Sequence, residues 1–348
     1  MTSPSGAPPA SLVIQTAFLG DMVLTTPLIS MLARRGPVDV VGTPVNLPLL
    51  ANNPDVRRAI AYDKRAPRRL RSLTAIGREL RTQKYDAAYL AQGSLRSVAL
   101  AIVAGVRRRI GFDTAGGRHL YTTRVRYDES IHHAERLLAL ARARGLAASE
   151  DGRPRLYPGE LERAEVEELL RRHGAIGERL LAVAPGSVWA TKRWPYYPEL
   201  ATRVGNTRVV IVGATADQSL ADAIRARAPG AIDATGRLSL LASAELIGRC
   251  SAIVSNDSAP VHLASAMNTP TVAIFGPTVP AFGFGPLADR SDVAGHESRA
   301  CRPCHRHGPR RCPLGHWRCM GELSVDAVLE SLIRLVPTVF GRRPAEPA

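Results

Sequence analysis

The sequence predicts an α/β protein built of two doubly wound domains, and three observations carry that prediction. Short apolar runs alternate with helix-length segments along the 348 residues, the pattern of parallel sheets covered by helices. The alternation starts afresh after a polar stretch with Gly and Pro between Gly145 and Leu156, as it would beyond a linker. The length exceeds one ordinary core, while 45% hydrophobic and 22% charged residues are globular values.

Residues 1–10, MTSPSGAPPA, are expected to be a disordered tail and lack the basic start and apolar middle of a signal peptide. The first domain is placed at 11–160. SLVIQT (11–16) reads as a buried strand, and Ala17 to Gly20 turn the chain into a helix expected to begin at Asp21, with Pro27 as a kink or its true first turn. VDVVGT (38–43), AIAYD (59–63) and DAAYLAQ (86–92) read as strands, with helices near 46–52 and over 94–106, the latter leading to RRRIGF (107–112). His132 and His133 open another helix without a metal partner at useful spacing and are taken as surface or core histidines.

The second domain is placed at 161–336, after a boundary between residues 150 and 178. A helix over 160–173 precedes LLAVAPG (180–186) and RVVIVGA (208–214), read as strands, and helices are expected at 216–228 and 238–250. Ala252 to Ser255 is a short strand; Asn256 and Asp257 are expected to cap a helix whose first turn holds Ser258, Ala259 and Pro260. A helix over 325–336 and a polar tail at 337–348 close the chain. In open sheets of this kind ligands bind at the carboxyl ends of strands, and the cleft between the domains is the expected place.

The net charge is +15, and residues 1–150 hold 22 Lys and Arg against 11 Asp and Glu, a surplus of 11. Nucleic acid, anionic lipid and a phosphorylated glycan are the partners such a surplus suits. The basic run from Lys64 to Lys84 includes Lys64, Arg65, Arg68 and Arg69 at helical spacing, which is a solvated helix face or a platform for phosphates. A nucleic-acid reading calls for interleaved aromatics; that run has none before Lys84, so it ranks far behind. No apolar run approaches a membrane span, so a cytoplasmic protein with peripheral membrane contact is expected. That address makes disulfides unexpected for Cys250, Cys301, Cys304, Cys312 and Cys319. The last four, with His305, His307 and His316 nearby, also raise structural zinc, but the six-residue spacing of the final pair is wider than the usual knuckle. No metal or cofactor is assigned.

Three constellations carry chemistry. Asp21 at a helix start is held ionised by the dipole, a proton acceptor or a plain N-cap. APGSVWATKRWP (184–195) joins Gly186, which allows close backbone approach, to the hydroxyl of Ser187 and the cation of Lys192. The capped helix at Ser258 and Ala259 is a seat for an anion, with His262 one turn further in.

Together these pieces resemble glycosyltransferase family 9, the bacterial heptosyltransferases, and most closely the heptosyltransferase II branch. The resemblance rests on LGDMVLTTPL (19–28), QGSLRS (92–97), RRIGF (108–112), PGSVWATKRWP (185–195), NDSAPVHLASAMNTPTVAIFGPT (256–278), CRPC (301–304) and CPLGHWRCM (312–320). It implies a GT-B fold, with two Rossmann-like domains facing a central cleft. It also implies metal-independent, inverting transfer of heptose from an ADP donor to the lipopolysaccharide inner core. Asp21 then matches the general base and Lys192 the lysine at the departing diphosphate. Ser187 matches a phosphate-loop hydroxyl, Asp257 the acidic residue at the sugar, and His262 the family histidine on that helix. Ser258 and Ala259 supply backbone at the diphosphate, Asp217 holds a ribose hydroxyl and Leu238 lines the adenine pocket. Val188 and Ala259 depart from residues common in relatives. The acceptor would be a phosphorylated glycolipid at the cytoplasmic face of the inner membrane, met by Lys64, Arg65, Arg68, Arg69 and Arg96, and the protein would be a monomer. A family 9 transferase with another sugar or acceptor is the nearest alternative.

Overall fold

The computed structural model describes residues 8–63, 69–147, 152–296 and 299–340. The chain divides into two units, Met1–Tyr157 and Pro158–Ala348. Each is built on one six-stranded sheet in which every pairing is parallel.

In the first unit β1 (Ser11–Gln15), β2 (Val38–Gly42), β3 (Arg58–Ala61), β4 (Ala87–Leu90), β5 (Arg108–Phe112) and β6 (Thr123–Val125) lie in the order β3-β2-β1-β4-β5-β6. Ile14 on β1 stands opposite Val41 and Leu90. Strands covered on both faces read as unbroken apolar runs, and all five residues of β1 are buried. Helices α1 (Leu19–Ala33), α2 (Arg69–Arg81), α3 (Leu95–Val103) and α4 (His133–Arg142) complete the unit.

The second unit repeats the winding. Its strands are β7 (Leu180–Ala184), β8 (Arg208–Ile211), β9 (Ile232–Asp233), β10 (Ala252–Asn256), β11 (Thr271–Ile274) and β12 (Ser291–Ala294), ordered β12-β11-β10-β7-β8-β9. Its helices are α5 (Glu160–Arg172), α6 (Tyr197–Arg203), α7 (Gln218–Arg227), α8 (Leu240–Gly248), α9 (Ala259–Met267), α10 (Arg318–Gly321), α11 (Val325–Leu335) and α12 (Pro337–Phe340). Its core gathers Val183, Ile211, Val254, Val272 and Leu332, and each such side chain contributes roughly 1.5–3 kcal/mol by leaving water. In both sheets the winding reverses between the first and fourth strands, which is where doubly wound folds bind ligands.

The structure corrects several local expectations. Helix α1 begins at Leu19, so Asp21 is its third residue rather than its first. Pro27 sits inside this helix, and the hydroxyl of Thr26 donates to the carbonyl of Val23 at 2.8 Å. That is the carbonyl which Pro27, lacking an N–H, leaves open. The run over 46–52 is a 3-10 turn at Leu47–Leu50. Neither Asn256 nor Asp257 caps α9: Asn256 ends β10, and the N-cap is Ser258, whose side chain makes no capping bond. Lys64, Arg65 and Arg68 lie outside the described residues, and Arg69 is the first residue of α2. That helix buries Leu73 and Leu80 and exposes Arg78 and Arg81. Residues 1–7 and 341–348 also lie outside the described set, while Val339 and Phe340 pack against the second core. No helix among the described residues is long and apolar enough to cross a membrane.

Candidate active site

At the switch point of the first unit the segments after β1 and β4 open side by side. A cavity of about 480 Å³ is lined by Asp21, Gln92, Ser94, Phe112, Tyr127 and His133, among others. A second, of about 420 Å³, shares Gln92, Ser94 and Gly116 with it and adds Thr16, Tyr62 and Arg96. The floor is held by side chains at the strand ends. Gln92 Oε1 accepts from Thr16 at 2.6 Å and from Ser97 at 3.2 Å, and the hydroxyls of Ser94 and Ser97 are 2.9 Å apart. Phe112 and Tyr127 meet edge to face at 5.1 Å. Buried Arg136 holds the segment around Tyr127, donating to the carbonyls of Asp128 and Glu129 and to the Tyr127 hydroxyl.

Asp21 is oriented by its own helix. One carboxylate oxygen accepts from the Phe18 backbone N–H at 3.1 Å, a capping arrangement that the helix dipole reinforces. The other oxygen lies 3.6 Å from Nε2 of His133. His133, first residue of α4 and 8% exposed, is therefore the buried of the two expected kinds of histidine, and it stands beside Asp21 on the cavity wall. His132 supplies the N-cap, accepting from the Ala134 N–H.

In the second unit the segments after β7 and β10 meet at the corresponding switch point. Lys192 Nζ donates to Asp257 Oδ2 at 2.6 Å and to the Asp257 carbonyl at 3.3 Å. The hydroxyl of Thr278, just beyond β11, donates to the same Oδ2 at 2.6 Å. Lys192 and Asp257 are only 8% and 9% exposed, so this is a desolvated, charge-assisted pair. Asn256 pins the Lys192 loop to β10: its Oδ1 accepts from the Trp194 N–H and the Tyr197 hydroxyl, and its Nδ2 donates to the Pro185 carbonyl. Trp194 is anchored by its indole N–H on the Leu323 carbonyl at 2.9 Å.

The remaining donor-side residues of the predicted site lie in the segments after β7, β8, β9 and β10. The Ser187 carbonyl accepts twice from the Arg193 guanidinium, at 3.0 and 2.8 Å, which fixes the turn. Asp217 caps the 3-10 turn after β8 by accepting from the Ala214 N–H at 3.0 Å, and a Cβ on Gly186 would lie 2.3 Å from its Oδ2. Glycine at 186 is thus required for Asp217 to stand there. Ser258 and Ala259 form the start of α9, and His262 is buried on that helix with its ring edge-to-face to Phe284. Leu238 is half-buried in the turn before α8.

Sequence reasoning assigned Gln92 and Thr278 no role, read Asn256 as a helix cap rather than as the pin of the Lys192 loop, and did not place His133 beside Asp21. Polar residues at the ends of apolar strands were the available signal for the first three. His133 gave none, since it reaches Asp21 only because α4 packs on α1. All five cysteines are free, and among the described residues no three His, Cys, Asp or Glu side chains are gathered to hold a metal ion.

Comparison with known proteins decides the family. The model of glycosyltransferase family 9 (heptosyltransferase) matches residues 73–317, well over half of the chain. The chain belongs to glycosyltransferase family 9. This family 9 chain is 29% identical over 305 residues to lipooligosaccharide heptosyltransferase 2 of Haemophilus influenzae, spanning 81% of this chain and 87% of that protein. Against lipopolysaccharide heptosyltransferase 2 of Escherichia coli it is 28% identical over 345 residues, 93% of this chain and 98% of the relative. The solved structure of the E. coli ADP-heptose lipopolysaccharide heptosyltransferase II superposes with a TM-score of 0.78 at 26% identity, covering 94% of this chain and 99% of that one. The two parallel α/β units are those of the GT-B architecture, and the protein is a glycosyltransferase.

Proposed function

We propose that this glycosyltransferase moves a heptose from ADP-heptose to the inner core of lipopolysaccharide, with inversion, without a catalytic metal, and with Asp21 as general base. The names of its relatives support the sugar and the pathway. The observation that carries the chemistry is the buried Lys192–Asp257–Thr278 group beside the start of α9.

In a single displacement an acceptor hydroxyl attacks the anomeric carbon, loses its proton to a base and expels ADP. Asp21 suits the base: it lines a cavity with an aromatic wall of Phe112 and Tyr127, large enough for a sugar, and the Phe18 N–H fixes one of its carboxylate oxygens while the other stands beside His133. Arg96 in the adjoining cavity offers a cation to a phosphorylated acceptor, as do Lys64, Arg65, Arg68 and Arg69 on this reading. A positioned base contributes ~10²–10⁴-fold; the rest falls to stabilising the leaving diphosphate. Lys192 supplies a positive charge already desolvated and oriented, and the α9 start adds its dipole over Ser258 and Ala259. Asp257, by holding Lys192, sets where that charge lies and faces the donor sugar. Gly186, Ser187, Asp217, Leu238 and His262 complete the donor side. The acceptor is a glycolipid met at the cytoplasmic face of the inner membrane, with the protein acting as a monomer.

The test is a panel of ADP-heptose, UDP- and GDP-sugars titrated against the wild-type protein and Asp21→Asn. ADP-heptose alone should bind and be consumed, and Asp21→Asn should bind it normally while transfer falls at least about 10²-fold. Preference for another nucleotide would move the enzyme to a different donor. Equal loss of binding and transfer would make Asp21 a helix cap only.

A further inference from the structure

The cysteine-bearing segment has no part in the mechanism above, yet it touches the Lys192 group from two sides. On one side Arg302 donates to the carbonyls of Phe275 and Thr278, at 2.9 and 3.0 Å, and the Cys304 N–H donates to Pro277 at 2.9 Å. These bonds hold the turn that presents the Thr278 hydroxyl to Asp257. On the other side the Thr191 hydroxyl donates to the Pro309 carbonyl at 2.5 Å, and the Trp317 indole N–H donates to the Thr191 carbonyl at 2.9 Å. Thr191, the residue before the cation, is therefore gripped through both its side chain and its carbonyl. Between these grips Gly308 lies on the aliphatic stem of Lys192. A Cβ there would stand 3.0 Å from Lys192 Cε and 3.3 Å from its Cγ, and the Gly308 φ of +86° disfavours any other residue.

We infer that Arg302–Trp317 is a strap that positions Lys192, with Gly308 and Trp317 as its positioning residues. The inference rests on Lys192 serving the departing diphosphate. A lysine stem has four rotatable carbons, and a point charge on it stabilises a transition state only where it is aimed. Asp257 fixes the tip of Lys192; the strap fixes the stem and the backbone behind it. The same contacts account for the sequence of the segment: a glycine where the stem passes, and an indole, with its single N–H on a large apolar body, where the Thr191 carbonyl must be reached.

The experiment measures ADP affinity by calorimetry and the transfer rate at saturating ADP-heptose for Trp317→Phe, Thr191→Val and Gly308→Ala. Each is made in the wild-type and the Lys192→Ala background, with thermal unfolding recorded throughout. Trp317→Phe and Thr191→Val each remove one hydrogen bond and should weaken ADP and slow transfer about 2- to 10-fold. Gly308→Ala should slow transfer by at least about tenfold. In the Lys192→Ala background all three should have no further effect, because the charge they aim is gone. Effects that persist undiminished there, or a fall in unfolding temperature with unchanged ADP affinity and transfer rate, would overturn the strap. If Lys192→Ala collapses transfer while the three variants stay within twofold of wild type, the strap alone fails. If Lys192→Ala itself changes neither ADP affinity nor transfer, the role of Lys192 fails and the strap with it. Thr191→Val is nearly isosteric, so the question remains answerable should Gly308→Ala not fold.

Discussion

Replacing Asp257 by Ala should be among the costliest changes in the second unit. It strands the Lys192 ammonium, 8% exposed, without the carboxylate that now receives it at 2.6 Å, and removes the acceptor of the Thr278 hydroxyl. Breaking one partner out of a buried pair costs about 3–5 kcal/mol, against about 5–15 kcal/mol for the folding of a whole domain. For units of this size each kcal/mol moves the midpoint by about 2–4 °C, so the transition of the second unit should fall by roughly 6–20 °C. Lys192→Ala leaves the complementary fault, a buried carboxylate that keeps the Thr278 hydroxyl but loses its cation, and should also be costly. The double variant removes both charges and should lose clearly less than the two single losses added together. Calorimetry and urea titration of the four proteins measure this directly. A loss below about 1 kcal/mol for Asp257→Ala, or single losses that simply add, would show that water reaches the pair and that Lys192 is not a desolvated charge.

Two further outcomes follow from titration. Desolvation pulls the Cys312 thiol up, but backbone N–H groups of Trp317, Leu314, His316 and Gly315 outweigh it and hold the thiol below its usual pKa. Burial instead raises the thiols of Cys304, Cys319 and Cys250, the last pushed up to about 12. Iodoacetamide at neutral pH followed by mass spectrometry should therefore label Cys312 before those three, and the reverse order would contradict the N–H cradle. The Asp233 carboxyl is pulled up by burial but held below its usual pKa by hydrogen bonds from Thr235 and Gln218 and by the charge of Arg237. Because the folded value is the lower one, its stabilisation is complete above about pH 4 and fades as pH falls through that folded value. Asp233→Asn should thus cost most near neutrality and least in strong acid, as followed by urea midpoints against pH; parallel curves for the two proteins would refute it.

The winding of both sheets was legible because buried parallel strands leave unbroken apolar runs, as in Ser11–Gln15 and Leu180–Ala184. Short strands escaped: Ile232–Asp233 and Thr123–Val125 have too few residues to show a pattern, and only their neighbours make them strands. The Lys192 loop and the Asp257 turn each announced an anion site by residue type, yet their direct bond spans 65 positions and has no local signature. The strap was hidden for another reason. Its grip on Thr191 uses the Pro309 and Thr191 carbonyls, which every residue possesses. The cysteines drew attention by chemistry while Gly308 and Trp317, close by, make the contacts.

One scaffold used twice places its acidic side chain differently at the two switch points. In the first unit the chain enters α1 with a carboxylate as the third residue, bound to the Phe18 N–H. The Phe18 N–H fixes one oxygen of Asp21, while its second oxygen lies on the side of His133 at the cavity wall. In the second unit the chain enters α9 through Ser258, Ala259 and Pro260, with no side-chain cap and no acidic residue in the first turn. The nearest carboxylate, Asp257, is drawn aside onto Lys192 and Thr278. Placing a carboxylate in the first turn of α9, as in α1, would offer the start an internal anion in competition with a diphosphate. On the proposed reading the proton acceptor belongs to the helix whose third residue is a carboxylate, and the diphosphate seat to the helix whose first turn holds none.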